Sequence, residues 1–192
     1  MTRIIAGAAR GTRLDVPDAG TRPTSDRVRE SILGALESAG AIDDARVLDL
    51  YAGSGALGLE SLSRGARSAD LVERSRRAVG VIRRNAAAVA KAGSLSAAVV
   101  HEAPVRRFLD RGAGTYDLVF SDPPYDISDE AMDGDLQSLA PLLSPDALVV
   151  IERARRSTVP DFDAAGLELV REKVYGDTAV WWAQPVSASQ SR

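Results

Sequence analysis

From residue 46 onward the chain alternates two hydrophobic patterns. Short unbroken apolar runs, of the kind found in strands buried on both faces, are separated by amphipathic stretches of about a dozen residues with apolar positions at helical spacing. The runs predict strands at residues 46–50, 69–73, 97–101, 117–121, 147–152, 167–175 and 179–184, and the intervening stretches predict helices at 56–64, 75–92, 105–111 and 130–139. Alternation of this sort is the signature of a wound α/β sheet with helices on its faces. No helix fits between the last two strands. Gly176-Asp177 joins them instead, a pair suited to the tight turn of an antiparallel hairpin. The expected fold is a Rossmann-like α/β domain with a seven-stranded mixed sheet and an antiparallel last strand.

Upstream of residue 46 the pattern changes. "TRPTSDRVRESILGALESAG" predicts a turn followed by a helix, with start signals in Pro23, Thr24 and Asp26 and with Val28, Ile32, Ala35 and Leu36 on one face, ending near Gly40. This divides the chain into a basic N-terminal extension (1–40), the α/β domain (41–185) and a small polar tail (186–192) expected to fray.

Composition narrows the chemistry. The 192 residues suit one principal core, and no apolar run reaches the roughly 20 residues needed to cross a bilayer. The N-terminus lacks the pattern of a signal peptide, so a cytoplasmic protein is expected. The chain contains no cysteine, which excludes disulfides, thiolate metal sites and cysteine nucleophiles. Its single histidine, His101, cannot build a metal site alone and reads as a strand-end residue. No metal is expected.

Net charge is −3, yet the positive charge is uneven and almost wholly arginine. Residues 1–13 carry Arg3, Arg10 and Arg13 with no acid, and residues 64–84 carry seven arginines against Asp70 and Glu73. The first group suits an anionic partner. For Arg76, Arg77, Arg83 and Arg84 a solvated helix face is the expected role.

Two stretches carry candidate chemistry. In "VLDLYAGSGALGLE", Gly53, Gly55 and Gly58 form a G-x-G-x-x-G pattern directly after a predicted strand and at the start of a helix. Glycines there let the backbone turn tightly beside a nucleotide, and Glu73, at the end of the next strand, can accept hydrogen bonds from a ribose diol. Dinucleotides and S-adenosylmethionine both use such loops. Asp49, at the strand tip, favours the second, because an acid would attract the ammonium of S-adenosylmethionine and repel a pyrophosphate.

The other stretch is "LVFSDPPYD", where a buried-looking strand runs into Asp122, Pro123, Pro124 and Tyr125. Prolines fix the backbone in a rigid exit from the sheet. An acid and carbonyls held this way can accept both hydrogens of an exocyclic amine, while the tyrosine ring stacks on the base that carries it. A base in a duplex would have to be flipped to reach such a pocket.

"DLYAGSGALGLE" together with "DPPY" resembles the amino-methyltransferases that use S-adenosylmethionine. "RIIAGAARGTRL" and "RPTSDRVRESIL" add a more specific resemblance, extending over nearly the whole chain, to the RsmD family of bacterial 16S rRNA guanine-N2 methyltransferases. The resemblance implies a Rossmann-like class I methyltransferase fold with a small N-terminal β-hairpin leaning over the active site. It implies S-adenosylmethionine as cofactor, and 16S rRNA or the small ribosomal subunit as partner. Carried over by position, Asp49, Tyr51, Gly53, Gly55, Glu73 and Asp122 would hold the donor, with Glu102 and Ala103 bordering its adenine. Asp122 to Tyr125 would hold the guanine, and Arg3, Arg10, Arg13 and Arg29 would meet RNA phosphates. At the adenine position the family commonly has aspartate, and here it is Glu102. The competing readings are an adenine-N6 DNA methyltransferase, for which 192 residues leave little room for target recognition, a non-catalytic RNA-binding or ribosome-assembly module, and a nicotinamide-dependent reductase, which Asp49 and the D-P-P-Y turn oppose. A monomer is expected, since no heptad or long apolar edge is visible.

Overall fold

A computed structural model describes residues 2–17, 26–96, 98–112 and 114–187. In chain order the strands are β1 (Thr2–Arg3), β2 (Arg13–Leu14), β3 (Arg46–Leu50), β4 (Ser68–Glu73), β5 (Val99–Glu102), β6 (Tyr116–Ser121), β7 (Leu143–Ala154), β8 (Leu167–Tyr175) and β9 (Thr178–Pro185). The helices are α1 (Asp26–Ser38), α2 (Ala56–Ser63), α3 (Arg76–Gly93), α4 (Val105–Leu109) and α5 (Asp129–Leu139). All seven strands expected from the apolar runs lie in one sheet, in the order β5-β4-β3-β6-β7-β9-β8. The first five pair in parallel, and β9 lies antiparallel to both β7 and β8. This is the mixed Rossmann-like sheet the sequence predicts, with the β8–β9 turn made at Gly176.

Strand β7 is the main departure in extent. Its apolar run covers 147–152, but the strand extends over Leu143–Ala154, with a register shift between its Leu143 and Leu148 pairings to β6. A continuous apolar run marks only the part of a strand buried on both faces, and its half-exposed ends pair through backbone alone. Strand β5 begins at Val99, and the expected start at Ala97 lies outside the described residues.

Alternation along the strands feeds two cores, one on each face. One gathers Val47, Leu71, Phe120 and Trp182 under α1, α2 and α3. The other gathers Leu48, Val119, Ile151 and Trp181 with Phe108 of α4 and Leu136 of α5. Neighbouring Trp181 and Trp182 thus serve opposite faces, and both are nearly inaccessible. The parallel centre is pinned at its amino end by Arg46, whose guanidinium and backbone N–H all donate to Asp117 at 2.9–3.0 Å. That pairing holds the Asp117 carboxyl well below the usual carboxylate range.

The N-terminal segment is built into this body. Strands β1 and β2 form the expected antiparallel hairpin, and Ile4, Ala9 and Leu14 share the first core with Leu59, Leu62 and Ile82. Fully buried Glu60 accepts the backbone N–H groups of Ile5 and Ala6 at 2.8–3.0 Å and pairs with Arg64. Gly7, at φ 79°, lies so close to α2 that a Cβ would fall 1.8 Å from the Ser63 carbonyl oxygen. Asn85 of α3 donates to the Asp15 and Ser54 carbonyls and accepts from the Asp15 N–H, each at 2.9 Å. The extension expected at residues 1–40 thus packs its apolar side chains into the core of the α/β domain. A carboxylate stays buried when hydrogen bonds and a cation replace its water, and here the hairpin supplies the hydrogen bonds.

Candidate active site

The strand order reverses between β3 and β6, and a cleft of about 590 Å³ opens at the carboxyl ends of β3, β4, β6 and β7. Open α/β sheets bind ligands at such a switch point. Four of the walls carry acids: Asp49 on β3, Glu73 on β4, Asp122 after β6 and Glu152 on β7.

The β3–β4 end is the better braced. Asp49 is 2% exposed, and its Oδ2 accepts the Gly58 N–H at 3.0 Å. Burial pushes its carboxyl up to about 7, with Glu73 adding to the rise and the Gly58 bond opposing it. Asp49 thus braces the glycine loop as well as lining the cleft. Gly58 permits that closeness, since a Cβ there would meet the Leu71 side chain at 2.3 Å. Gly55 takes φ 77° at the start of α2. Glu73 accepts from the Gly53 N–H at 3.2 Å and the Ser75 N–H at 2.8 Å, which ties the loop to the end of β4. Ala56, Leu57, Ala78 and Val105 supply apolar wall.

Tyr51 also lines this end, held at φ 61°. Its hydroxyl donates away from the cleft to buried Asp135 of α5, which is paired with Arg106 of α4 at 3.1 Å. Burial and the aspartate push the Tyr51 hydroxyl far above its ordinary pKa, so it stays protonated. The hydroxyl of Tyr51 is thus committed to Asp135.

The β6–β7 end is more open. Asp122 is half-buried and Pro123 buried, while Tyr125 is 64% exposed. All four residues of the D-P-P-Y turn line the cleft, as do Thr2 and Arg29. The expected neighbour relation holds, because β6 pairs in parallel with β3, with Asp49 opposite Phe120.

Three expected placements differ. Glu102 is exposed and Ala103 buried in the second core, and neither lines the cleft. Glu102 pairs in register with Glu73 one strand further out, and Val105 at the start of α4 takes the wall position instead. Arg29 is 1% exposed, and its Nη2 donates to the Arg3 carbonyl at 2.7 Å. A guanidinium so enclosed holds the hairpin onto α1 and cannot wrap an RNA phosphate. Arg3, Arg10 and Arg13 are exposed, and Arg3 and Arg13 stand side by side across the hairpin.

The sequence reading missed Glu152, Arg74 and Arg77, all of which line the cleft. Glu152 had a visible signal. "ALVVIE" ends in an acid as "ADLVE" does, and both glutamates come to the same rim. Arg76, Arg83 and Arg84 are exposed on α3, as a solvated face requires. His101 meets Asp70 at 2.6 Å, and Tyr116 donates to the same carboxylate at 3.2 Å, away from the cleft. Among the described residues no group of acids and histidine is arranged to hold a metal ion, and no helix is long and apolar enough to cross a membrane.

Comparison with known proteins covers the whole architecture. Residues 2–184 match the family model described as "Conserved hypothetical protein 95". The chain is 40% identical over 180 residues to ribosomal RNA small subunit methyltransferase D of Escherichia coli (strain K12), covering 92% of this chain and 86% of that one. It is 32% identical over 179 residues to the Haemophilus influenzae protein of the same name, covering 91% and 89%. A solved Escherichia coli structure described as a methyltransferase superposes with a TM-score of 0.80 at 38% identity, covering 97% of this chain and 98% of that one.

Proposed function

We infer the function from the premise that this chain belongs to the RsmD family: it is an S-adenosylmethionine-dependent methyltransferase acting on ribosomal RNA. The finer proposal is that it methylates the exocyclic N2 amine of one guanine in 16S rRNA, flipped into the D-P-P-Y end of the cleft, in the bacterial cytoplasm and as a monomer. One observation carries it. The D-P-P-Y turn and the glycine loop follow adjacent parallel strands and line a single cleft.

The donor end fits S-adenosylmethionine by the chemistry of its walls. Glu73 offers a carboxylate for a ribose diol, Asp49 a buried acid for an ammonium, and Ala78 and Val105 apolar surface for an adenine. When bound, the donor supplies an electrophilic methyl group. The chain's own part is orientation and charge. Asp122 and the turn carbonyls accept the hydrogens of N2, so the nitrogen lone pair is directed along the cleft toward the donor end. The same acceptors stabilise the positive charge that develops on N2, and Asp122 is placed to take the proton it sheds. Tyr125, exposed at the rim, replaces the stacking that a flipped base loses. Arg3, Arg10 and Arg13 hold RNA phosphates beside the mouth.

Transfer from labelled S-adenosylmethionine to small ribosomal subunits, free 16S rRNA and duplex DNA, followed by nucleoside analysis, tests this reading. N2-methylguanine from a ribosomal substrate is the expected product. N6-methyladenine from DNA would overturn the substrate, and no transfer to any of the three would leave an RNA-binding module.

A further inference from the structure

The structure assigns a specificity role to Glu152: we propose that its carboxylate reads the N1–H of the target guanine and so decides against other purines. The inference rests on the guanine-N2 reading above and goes one step beyond it.

Ser121 and Ile151 are register partners on parallel strands β6 and β7. The next residue along each strand direction, Asp122 just past the end of β6 and Glu152 still within β7, therefore lies at the same level, and both line the cleft. Glu152 is held in place from the other side too, because its backbone is paired with Val180 on β9. It is a rigid strand position, unlike the exposed Tyr125 on the turn.

The Watson–Crick edge of guanine presents two donors side by side, N1–H and the N2 amine. Adenine presents an amine beside a bare N1 lone pair. Two neighbouring carboxylates match the guanine edge, Asp122 at N2 and Glu152 at N1, and Glu152 would face the adenine N1 lone pair with no hydrogen between them. A site whose polar groups are left unpaired by the wrong substrate discriminates strongly against it. Arg29 brings a guanidinium to the same cleft wall as the two acids. Asp122 alone does not discriminate, since both purines carry an exocyclic amine.

The test uses 2-aminopurine, which keeps the N2 amine but has a bare N1. The target guanine, located from the wild-type product, is replaced by 2-aminopurine in ligated 16S rRNA, and single-turnover transfer is measured on both RNAs. Wild type is expected to favour guanine by roughly ten- to a hundred-fold, the range of a charge-assisted contact. In Glu152→Gln the amide can turn its NH₂ toward the bare N1, so the guanine rate falls and the ratio collapses toward one. Glu152→Ala lowers the guanine rate and narrows the ratio without that gain. Donor affinity by calorimetry should stay within about two-fold in both variants, which separates a recognition defect from misfolding. A wild-type ratio retained in Glu152→Gln overturns the inference while leaving the methyltransferase reading intact. Failure of the wild type to make N2-methylguanine from any ribosomal substrate overturns both.

Discussion

The two ends of the cleft are built on different terms. At the β3–β4 end three side chains are tied into the protein by visible hydrogen bonds: Asp49 holds Gly58, Glu73 holds Gly53 and Ser75, and Tyr51 is anchored through Asp135 to Arg106. At the β6–β7 end a proline-stiffened turn stands half-open, with Tyr125 largely in solvent. Preorganisation suits a small donor of fixed shape, and openness suits a base that arrives attached to a large folded RNA. On the function proposed above, a side chain at the first end serves loop geometry and donor binding together, whereas one at the second serves chiefly transfer.

The sharpest separation should come from Asp122→Ala. Loss of the amine acceptor is expected to lower single-turnover methyl transfer by about a thousand-fold, in the range of other preorganised charge-stabilising groups, while calorimetric donor affinity changes less than about three-fold. Equal loss of donor affinity would erase the distinction between the ends. Glu73→Ala should show the opposite emphasis, a roughly ten- to hundred-fold rise in the donor dissociation constant with a smaller effect on saturated transfer. A variant that binds donor normally would remove Glu73 from the donor end.

The next effect is one of stability. The Asp49 carboxyl has its folded pKa raised to about 7, so the folded protein binds a proton that the unfolded chain releases at much lower pH. The corresponding stabilisation is complete below the unfolded pKa and is lost as pH rises through about 7. Asp49→Asn keeps an acceptor for Gly58 but does not titrate. Its stability relative to wild type should therefore improve by a few kcal/mol, roughly, between about pH 4 and pH 8, as read from urea unfolding without donor. Parallel pH profiles would mean that Asp49 is hydrated in the free protein. The smallest effect belongs to the hairpin. Arg10→Ala with Arg13→Ala should weaken RNA binding several-fold and reduce the slope of log affinity against log salt by about one to two, with no change in donor binding. An unchanged slope would take both arginines off the RNA.

Most of this architecture could be read from local pattern. The seven strands, the hairpin turn at Gly176 and the glycine loop are each written within a dozen residues, because burial on both faces and tight turns constrain composition directly. The clustering of Asp49, Gly53, Glu73, Asp122 and Tyr125 around one cleft also followed, once parallel strands were expected to share a carboxyl edge. What escaped depends on distant partners. Arg29 looks like any arginine of an amphipathic helix until the Arg3 carbonyl is placed against it. Glu60 and Asn85 look like ordinary helix residues, although they fasten the N-terminus from 54 and 70 residues away. Glu102 was displaced for a related reason, since strand order makes β5 the sheet edge and leaves α4 to close the wall.

The Asn85 clamp also bears on how the chain is made. Asp15 emerges from the ribosome long before the residue that will hold it, separated by 70 positions. At the usual pace of synthesis, about 5–20 residues per second, that gap lasts roughly 4–14 seconds. During this time α3 is missing from the core that Ile4, Ala9 and Leu14 enter, and the hairpin cannot be clamped on that side. The hairpin thus settles only after residues far downstream of it are made, and its docking onto Glu60 and Asn85 requires that the helices flanking the glycine loop are in place.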